Sequence, residues 1–452
     1  MLSEVKQRGE CSEQFTMDTT TQQCGNRHHK PAVQILLFAL MVAAAMTLNS
    51  SLVEAITHPG DIQALKEVKL ALNASSIMNS TCMGSWDFTV DPCDTRSSSH
   101  FTCGIDCSAS ISNISRVTGL RLEPNAGYTG PLSPAIGNLT ALQQLTISEN
   151  AFHGHIPATL GNCRHLLHLD LSVNSFSGRL PKSLSRLSSL TFLSVASNAL
   201  KGPIPSSFNH LKNLTHMYLD NNHFSGHIPS LSGMSSLIYL DASNNALTGT
   251  LPTLPSTISL LVLRTNHLTG HLPPSLKNLT LLQVIDLHHN HLTGTISSFL
   301  YSLPNLQTLN LSQNEFTAME NFGFLPEEKS ELLSVDLSFN RIMGTLPSSL
   351  AAMERLRVLA LRSNMFTGGI PYSYALKAAS SIAGSEQLGQ LYLDDNYLSG
   401  EIPRPLLNVS ADGFRGNLVR NCLQSCPASL FFCKGGAQKS PRECKVPVAM
   451  SG

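Results

Sequence analysis

The sequence is poor in charge, in aromatic residues and in any excess of one sign of charge. Of its 452 residues, 13% are charged and 6% are aromatic, with a single tryptophan. Lysine and arginine together number 30, and aspartate and glutamate also number 30. A surface that binds nucleic acid needs a basic excess, so we expect no nucleic-acid partner. A chain of this length predicts either several domains or one elongated repeat array.

Motifs that carry catalysis are also lacking. There is no G-x-G-x-x-G with a downstream lysine, no H-R-D or D-F-G, no P-loop, no G-x-S-x-G and no H-E-x-x-H. Aspartates recur in predicted strands, as at Asp170 and Asp336, and paired carboxylates can hydrolyse glycosides. Their regular place in a motif [LIV]-D-[LA] favours a structural or solvated role. His288-His289-x-His291 is a weak metal pattern. We therefore predict a protein that is not an enzyme and needs neither metal nor cofactor.

Long apolar runs are scarce, and the one that could serve as a signal peptide or membrane anchor lies near the amino terminus. A basic stretch, Arg27–Lys30, precedes an apolar run from Ala32 to Leu48, and Val53-Glu54-Ala55 has small residues where a signal peptidase cleaves. We predict that residues 1–55 are a signal peptide, from a start at Met1 or Met17. A run of about 17 residues is borderline for an anchor, so plasma-membrane attachment through an uncleaved segment is the alternative. No later stretch is long and apolar enough to predict a second anchor.

Cysteines are grouped towards the two ends of the remaining chain, four on each side. This layout predicts disulfide-stapled caps made in an oxidising compartment, and it is less typical of zinc sites because paired C-x-x-C knuckles are missing. The spacing does not reveal the pairing. Cys163 lies alone between the groups, and we predict that it is a buried free thiol. The eight disulfide candidates are Cys82, Cys93, Cys103, Cys107, Cys422, Cys426, Cys433 and Cys444.

Eight N-x-S/T sequons follow the predicted signal peptide. Together with that segment they indicate the secretory pathway and predict a secreted glycoprotein. The asparagines concerned are Asn73, Asn79, Asn113, Asn138, Asn213, Asn278, Asn310 and Asn408.

Asparagines also punctuate the middle of the chain, most of them 24 residues apart. Leucines precede each one, as in Leu166-x-x-Leu169-x-Leu171-x-x-Asn174, and a G-x-[IL]-P element follows, as in Gly178-Arg179-Leu180-Pro181. Such self-similarity is typical of a repeat architecture. The punctuating residues are Asn125, Asn150, Asn174, Asn198, Asn222, Asn245, Asn266, Asn290, Asn314, Asn340, Asn364 and Asn396.

The pattern predicts an α/β repeat solenoid of about twelve units, a right-handed superhelix with a parallel concave sheet. Alternating L-x-L forms a short strand with one buried face, and a single unit cannot bury its leucines without its neighbours. We expect the asparagines to form a ladder, the glycines to permit a bend, and the prolines to keep the outer side extended rather than helical. The predicted boundaries are an amino-terminal cap at 56–116, repeats at 117–404 and a carboxy-terminal cysteine cap and tail at 405–452.

Two units break the repeat. After Asn314 the expected glycine position holds Ala318, and an alanine-rich insertion from Tyr372 to Gln387 adds eight residues. We expect the insertion to be a short helix tolerated on the outer side, with a ligand-contacting loop as the alternative.

The unit L-x-x-L-x-L-x-x-N-x-[LF]-[ST]-G-x-[IL]-P, seen from Leu356 to Pro371, resembles the plant-specific leucine-rich repeat. Before it, a helix opening at Asp61, the stretch Ser85-Trp86-Asp87 and Asp91-Pro92-Cys93 are similar to the amino-terminal cap of plant receptor-like leucine-rich repeat proteins. Gly413-Phe414-Arg415-Gly416-Asn417 is similar to their carboxy-terminal cap. The resemblance implies extracellular recognition of a peptide, protein or glycan, with a membrane co-receptor as a further partner.

The candidate ligand site lies on the predicted concave face, at strand positions that are not leucine. Several consecutive units carry apolar or aromatic residues there, rimmed by charge, which is typical of a binding surface; ordinary variation at a tolerant surface is the alternative. The predicted ligand-binding residues are Phe192, His216, Tyr218, Tyr239, Asp241, Leu260, Val262, Arg264, Val284, Asp286 and His288.

Histidines also recur at equivalent positions in the units. Because histidine changes charge between about pH 5 and 8, we expect binding to an acidic polysaccharide or acidic protein to strengthen in mildly acidic surroundings. The recurring residues are His155, His227 and His271 after the glycine, and His223, His267 and His291 after the asparagine.

The sequence as a whole predicts a secreted, receptor-like recognition protein of the cell wall or extracellular space. Two alternatives remain open. One is an inhibitor of secreted cell-wall polysaccharide hydrolases, similar to polygalacturonase inhibitors, and the other is the ectodomain of a truncated receptor kinase.

Overall fold

The structure, a computed structural model, describes residues 56–94, 103–108, 114–320, 330–379 and 386–445. All of them belong to one compact unit of the chain, residues 55–452. The predicted signal peptide therefore lies outside the described residues. Among the helices that are described, none has the length and apolar character needed to cross a membrane.

One long sheet, here called the main sheet, links the units. In the described residues it has fourteen strands that follow one another in chain order. The first strand is antiparallel to the second, and the later ones pair in parallel and in register, as Phe192 does with His216. The strands are Ile105–Cys107, Val117–Arg121, Gln144–Thr146, His168–Asp170, Phe192–Ser194, His216–Tyr218, Tyr239–Asp241, Leu260–Val262, Val284–Asp286, Thr308–Asn310, Ser334–Asp336, Val358–Ala360, Gln390–Tyr392 and Arg415–Asn417.

Side-chain alternation explains these short strands. In Tyr239–Asp241 the middle residue, Leu240, is 1% exposed and lies in the core, whereas its two neighbours face outward and stay partly exposed. The leucines of each unit pack against those of the next, so burial depends on stacking. One strand per unit in a continuous parallel sheet confirms the predicted repeat solenoid.

The punctuating asparagines form the predicted ladder. Asn266 is 3% exposed, and its Nδ2 donates to the carbonyls of Ala242 at 2.9 Å and Leu263 at 3.1 Å. Its Oδ1 accepts from the amide of Leu247 at 3.0 Å. The same bonds recur from Asn150 to Asn396. Each buried amide thus satisfies backbone groups where the chain leaves the main sheet.

Asn125 does not belong to this ladder, contrary to the prediction. It has a φ of 59°, the left-handed conformation that the residue immediately before each ladder asparagine adopts, such as Glu149 at 54°. Its side chain donates to the carboxylate of Glu149 at 3.0 Å. The ladder position of this unit is held by Ala126, one residue later.

A ladder asparagine that the sequence analysis missed is Asn421. Its Nδ2 donates to the carbonyl of Leu393 and its Oδ1 accepts from the amide of Leu398. It follows the last main-sheet strand, Arg415–Asn417, so the bonding pattern of the repeats continues into residues that we assigned to the carboxy-terminal cap. The motif Leu418-x-x-Asn421 was the signal that could have found it.

After its ladder position each unit forms a further strand. Nine of these strands form the second sheet of the described residues, and four more form a third sheet near the carboxy terminus. The second-sheet strands are Thr129–Pro131, Ala151–His155, Ser175–Gly178, Ala199–Gly202, His223–His227, Ala246–Gly249, His267–Gly270, His291–Ile296 and Glu315–Met319. The third-sheet strands are Met343–Thr345, Met365–Gly368, Tyr397–Gly400 and Cys422–Leu423.

The outer side is helical in most units, which corrects the expectation that proline keeps it extended. Pro181, for example, is extended itself, but it is the N-cap of a 3₁₀ helix that buries Leu184. Proline fixes only its own φ, and that value suits the entry to a helix. The 3₁₀ helices of the described units are Pro134–Asn138, Ala158–Asn162, Lys182–Arg186, Ser206–His210, Pro274–Asn278 and Ser298–Ser302, with Ala74–Ser76 and Phe431–Cys433 in the caps.

Disulfides pair all eight candidate cysteines of the two caps. The bonds are Cys82–Cys103 and Cys93–Cys107 at the amino-terminal end, and Cys422–Cys444 and Cys426–Cys433 at the other. Cys163 is a free, buried thiol as predicted, and burial raises its pKa to about 12.

Helices at the amino-terminal cap cover the first unit. The predicted helix at Asp61 is α1, Pro59–Leu70, followed by α2, Cys82–Ser85, and the strand Ile56–Thr57 pairs with Ile114–Ser115. The buried carboxylate of Asp61 accepts two bonds from the Arg116 guanidinium at 2.9 Å.

The insertion forms the helix that its alanines indicated. Ser349–Ala352 is α3, the inserted helix Tyr372–Ala378 is α4, and Arg404–Leu407 is α5. Helix α4 begins after Pro371, where other units have a 3₁₀ helix, so this described part of the insertion lies on the outer side as expected.

Candidate functional site

The structure brings the eleven predicted ligand-binding residues together on the open face of the main sheet. They fall into three columns that run across neighbouring strands. Strand pairing aligns Phe192, His216, Tyr239, Leu260 and Val284 in the first column. It aligns Tyr218, Asp241, Val262 and Asp286 in the second. Arg264 and His288 come two residues after Val262 and Asp286 of the second column, and they belong to the third column.

Aromatic rings contact one another across four adjacent strands. His168 stacks on Phe192 with ring centroids 4.2 Å apart and planes 9° from parallel. Phe192 lies 5.5 Å from Tyr218, which lies 4.7 Å from Tyr239. His216 stacks on Tyr239 at 6.1 Å. We call these five residues the aromatic patch; each remains partly exposed.

The sequence prediction omitted His168 from this patch. It stands in the first column, one strand before Phe192. Its column position was visible in the sequence, but the run of apolar residues was taken to begin at Phe192. Burial against the neighbouring ring lowers the pKa of His168, more than Asp170 raises it.

Burial and nearby carboxylates raise the pKa values of the two tyrosines of the patch. Burial, and then Asp241, raise the pKa of Tyr239 to about 12, and the same causes raise the pKa of Tyr218. Both phenols are therefore neutral hydrogen-bond donors at physiological pH. Burial also raises the pKa of Asp220, a third-column residue that the prediction missed, and Asp241 adds to the shift.

Charged groups border the patch on its carboxy-terminal side. Asp286 accepts from His288 Nδ1 at 2.7 Å and lies 3.7 Å from a guanidinium nitrogen of Arg264. His288 Nδ1 also lies 3.2 Å from the amide nitrogen of Asn310. Apolar and aromatic side chains are thus followed along the sheet by a hydrogen-bonded polar group. Such an arrangement is typical of a surface that excludes water at its centre and not at its rim.

The predicted glycosylation sites differ in exposure. Asn310 lies on the main sheet, partly exposed, and its Oδ1 accepts from the amide and hydroxyl of Ser312. Asn113 lies outside the described residues. The remaining six are exposed, namely Asn73, Asn79, Asn138, Asn213, Asn278 and Asn408. Occupancy of all eight stays a prediction.

The histidines of the weak metal pattern, His288 and His291, do not lie together. His288 faces the open side of the main sheet, whereas His291 lies in the second sheet and contacts Glu315 at 3.2 Å. Elsewhere in the described part of the chain, Cys82, Cys103 and Glu123 lie close enough to share an ion. The two sulfurs are joined in a disulfide, so they have no thiolates to offer.

Comparison with known families identifies the repeat. A model described as Leucine Rich Repeat matches residues 165–187, 189–211, 213–234, 236–258 and 331–353. Another, described as Leucine Rich repeats (2 copies), matches residues 280–323. These parts of the chain are leucine-rich repeats.

Curated relatives of this leucine-rich repeat protein are receptor kinases of Arabidopsis thaliana. A probable LRR receptor-like serine/threonine-protein kinase is 31% identical over 100 residues, covering 22% of this chain and 9% of the kinase. A putative receptor-like protein kinase is 33% identical over 128 residues, covering 27% and 11%. The matched part thus spans about a tenth of these relatives, and it lies in their leucine-rich repeat region.

Solved structures similar to the leucine-rich repeat protein include receptor ectodomains. The crystal structure of PEPR1–AtPEP1 has a TM-score of 0.68 and 29% identity, covering 85% of this chain and 55% of that one. The Arabidopsis receptor kinase HAESA LRR ectodomain, in complex with an IDA peptide hormone, has a TM-score of 0.54 and 28% identity, covering 80% and 65%. The repeat architecture is therefore that of plant receptor ectodomains.

Proposed function

We propose that this leucine-rich repeat protein is an extracellular recognition module that binds a peptide or an extended protein segment on the aromatic patch. The observation that carries the proposal is the contact of five rings across four strands on an open face. Exposed apolar area of this kind is costly in water and commonly marks a binding surface. Secretion is part of the proposal, and it is supported by the disulfide caps and the sequons.

Ring orientation favours a polypeptide over a sugar. The rings of His168 and Phe192 face each other across strands, and His216 and Tyr239 are within 20° of parallel. In the His168–Phe192 pair, whose centroids are 4.2 Å apart, the ring faces that meet are closed to a ligand. A sugar would need a free ring face to lie on, whereas apolar side chains can pack between and against ring edges.

The polar border suits an extended backbone. Neutral phenols of Tyr218 and Tyr239 can donate to peptide carbonyls, and Asp286 and Arg264 can pair with charged side chains of the ligand. A receptor ectodomain similar to this chain, that of HAESA, has a structure in complex with an IDA peptide hormone. A membrane co-receptor stays a prediction.

The first test identifies the ligand at the patch. Residues 56–452 carrying a photo-reactive amino acid in place of Val262 would be exposed to extracellular fluid of the source tissue and irradiated, and crosslinked peptides would be sequenced by mass spectrometry. A secreted peptide or protein is expected. If the captured protein is a polysaccharide hydrolase and is inactivated on binding, the inhibitor alternative gains support instead.

The second test measures affinity for the captured ligand by calorimetry. Tyr239→Ala removes a central ring and Val262→Asp places an unpaired charge beside it, so each should weaken binding about tenfold or more, equivalent to about 1.4 kcal/mol. Tyr372→Ala is the matched control, because Tyr372 is exposed on α4 at the outer side. Unchanged affinity in both Tyr239→Ala and Val262→Asp, with native circular dichroism, would rule out this site.

A further inference from the structure

Acidic residues are confined to one face of the central units. Between residues 150 and 285 the sequence has three carboxylate side chains, Asp170, Asp220 and Asp241. Asp170 and Asp241 lie in main-sheet strands, and Asp220 comes two residues after the strand His216–Tyr218. The second sheet and the outer side of these units therefore carry no negative side chain.

Lysine and arginine are distributed in the opposite way. Within the same residues Arg264 lies beside the main sheet, and seven others lie on the second sheet, the 3₁₀ helices or the segments next to them. All seven are exposed. They are Arg164, Arg179, Lys182, Arg186, Lys201, Lys212 and Lys277. An overall neutral protein thus has a side that is positive even before any histidine is protonated.

Histidines are concentrated on the second sheet. Seven of them lie in its strands or directly after one, and every one is exposed. The rings of His267 and His291 stack with centroids 6.0 Å apart, although they belong to different units. The seven are His153, His155, His223, His227, His267, His271 and His291.

Glycines of the following unit make room for three of these rings. A Cβ added at Gly249 would lie 1.9 Å from Cδ2 of His227, and one added at Gly294 would lie 1.9 Å from Cδ2 of His271. Both glycines have positive φ, 79° and 87°, so the strand also requires glycine there for its backbone. His155 lies over Gly178 in the same way. The imidazoles are therefore held at equivalent places in the stack.

Few opposite charges face these histidines. Glu315 is the one carboxylate in the described second-sheet strands, and it contacts His291 at 3.2 Å and Arg341 at 3.3 Å. Glu320, just beyond the last strand, bonds Ser298. The other charged neighbours, Arg179 and Lys201, are positive.

We propose that the second sheet binds an acidic polysaccharide, a linear chain carrying a carboxylate on its successive sugars. Histidine or lysine occurs in the strands that begin at Ala151, Ala199, His223, His267 and His291, so a polymer with repeated charge can contact several of these groups at once. Serine and threonine hydroxyls between the histidines, such as Ser225 and Thr269, can bond sugar hydroxyls. No sequon asparagine lies in the described strands of this sheet.

Binding strengthens as the pH falls. Carboxyl groups of a uronate titrate near about pH 4, so the polymer stays charged between about pH 5 and 8, whereas histidine gains charge on going down through this range. As the pH falls through this range, the protein gains positive charge and the polymer keeps its negative charge. The affinity present in mildly acidic solution is therefore lost as histidines deprotonate.

The test uses residues 56–452 and polygalacturonate in biolayer interferometry at low salt. Affinity should be about tenfold higher at about pH 5.5 than at about pH 7.5. Replacing His223, His227, His267 and His271 together by glutamine should remove most of that pH dependence. His165→Gln, at an exposed position outside both the second sheet and the aromatic patch, is the control and should leave it in place.

Two further ligands test whether the second sheet recognises both the charge and the sugar. Fully methyl-esterified polygalacturonate, which is neutral, should not bind, and single-stranded DNA of equal charge should bind more weakly because it cannot match the sugar hydroxyl contacts. The proposal is overturned if the fourfold glutamine variant keeps the pH dependence, or if DNA binds as well as the polysaccharide. Tyr239→Ala leaves the second sheet intact, so failure of the aromatic patch as a peptide site is measured separately.

Discussion

Single asparagine side chains hold each unit to the one before it. Asn266 donates to the carbonyls of Ala242, Leu263 and Arg264 and accepts from the amide of Leu247. The bonds with Leu247, Ala242 and Leu263 are buried, and the bond with Arg264 is partly buried. A buried backbone group that lacks a hydrogen-bond partner costs about 1–3 kcal/mol. Each ladder asparagine therefore contributes strongly to the free energy of unfolding.

Asn266→Ala is expected to lower the free energy of unfolding by about 1–3 kcal/mol, because the Leu247 amide and the carbonyls lose their partner. Urea denaturation followed by circular dichroism measures the loss. The matched control is Asn305→Ala, since Asn305 is exposed and donates once, to the Thr280 carbonyl. A loss no larger than that of the control would contradict a structural role for the ladder.

For single residues, the sequence predicts a repeated structural role better than it predicts which side chains contact one another. The spacing located the ladder from Asn150 to Asn396, because a side chain needed in every unit leaves a period. It misplaced Asn125, since an asparagine suits the left-handed position as well as the ladder and spacing tolerates a shift of one. The spacing could not predict that His168 stacks on Phe192, because the orientation of a ring plane depends on the side-chain rotamer and not on strand register.

The inserted helix shows how an irregular element is tied to the regular stack. Lys377 on α4 is 1% exposed, and its ammonium donates to the carbonyls of Met353 at 2.8 Å and Glu386 at 3.0 Å. Burial lowers the pKa of Lys377, against the effect of Glu386 and Glu354. The hydroxyl of Tyr374 donates to Pro347 in the preceding unit at 2.9 Å. The insertion is thus anchored to the unit before it through polar contacts inside the core.

Lys377→Met retains most of the side-chain volume but removes the donor from those carbonyls. Relief of ammonium desolvation opposes the loss, yet bonds from a charged donor contribute more than neutral ones, so we expect a net decrease of about 2 kcal/mol in the free energy of unfolding. Hydrogen exchange at the Leu388 amide, which donates to the Lys377 carbonyl, should accelerate. Lys182→Met, at an exposed position of a 3₁₀ helix, should change neither quantity.

Helices on the outer side illustrate a second limit of sequence reasoning. Proline was expected to keep the outer side extended, and Pro181 is extended itself, but the conformation of the residues that follow depends on packing. Leu184 is buried against the neighbouring unit, and a short 3₁₀ helix brings it there. The insertion was easier to predict, because alanine, leucine and lysine in Ala375–Ala378 favour a helix by themselves.

At the scale of the whole stack, stability is the sum of units and of contacts between neighbours. The carboxy-terminal cap covers the last unit with Phe432, which is 2% exposed, and the amide of Leu418 donates to the Phe432 carbonyl. Cys422–Cys444 fixes this cap across a sequence separation of 22 residues. An uncovered end would expose the leucines of its unit to water.

Replacing Cys422 and Cys444 by serine should destabilise the carboxy-terminal units by about 3 kcal/mol, the contribution expected for closing a loop of this size. Hydrogen exchange monitored by mass spectrometry should accelerate at Arg415–Asn417 and remain unchanged at His168–Asp170, because each unit contacts only its neighbours. Removing Cys426–Cys433, whose separation is 7 residues, should have a smaller effect. Uniform acceleration along the chain would contradict this nearest-neighbour picture.

Every ladder asparagine bonds backwards, to groups that come earlier in the chain. Asn174, for instance, accepts from the amide of Phe152 and donates to the carbonyl of Ile147, and Ala126 stands at the position where no earlier unit exists to be joined. A chain made amino terminus first therefore finds the partners of each new asparagine already in place. Folding can proceed one coil at a time during synthesis, without waiting for residues that have yet to be added.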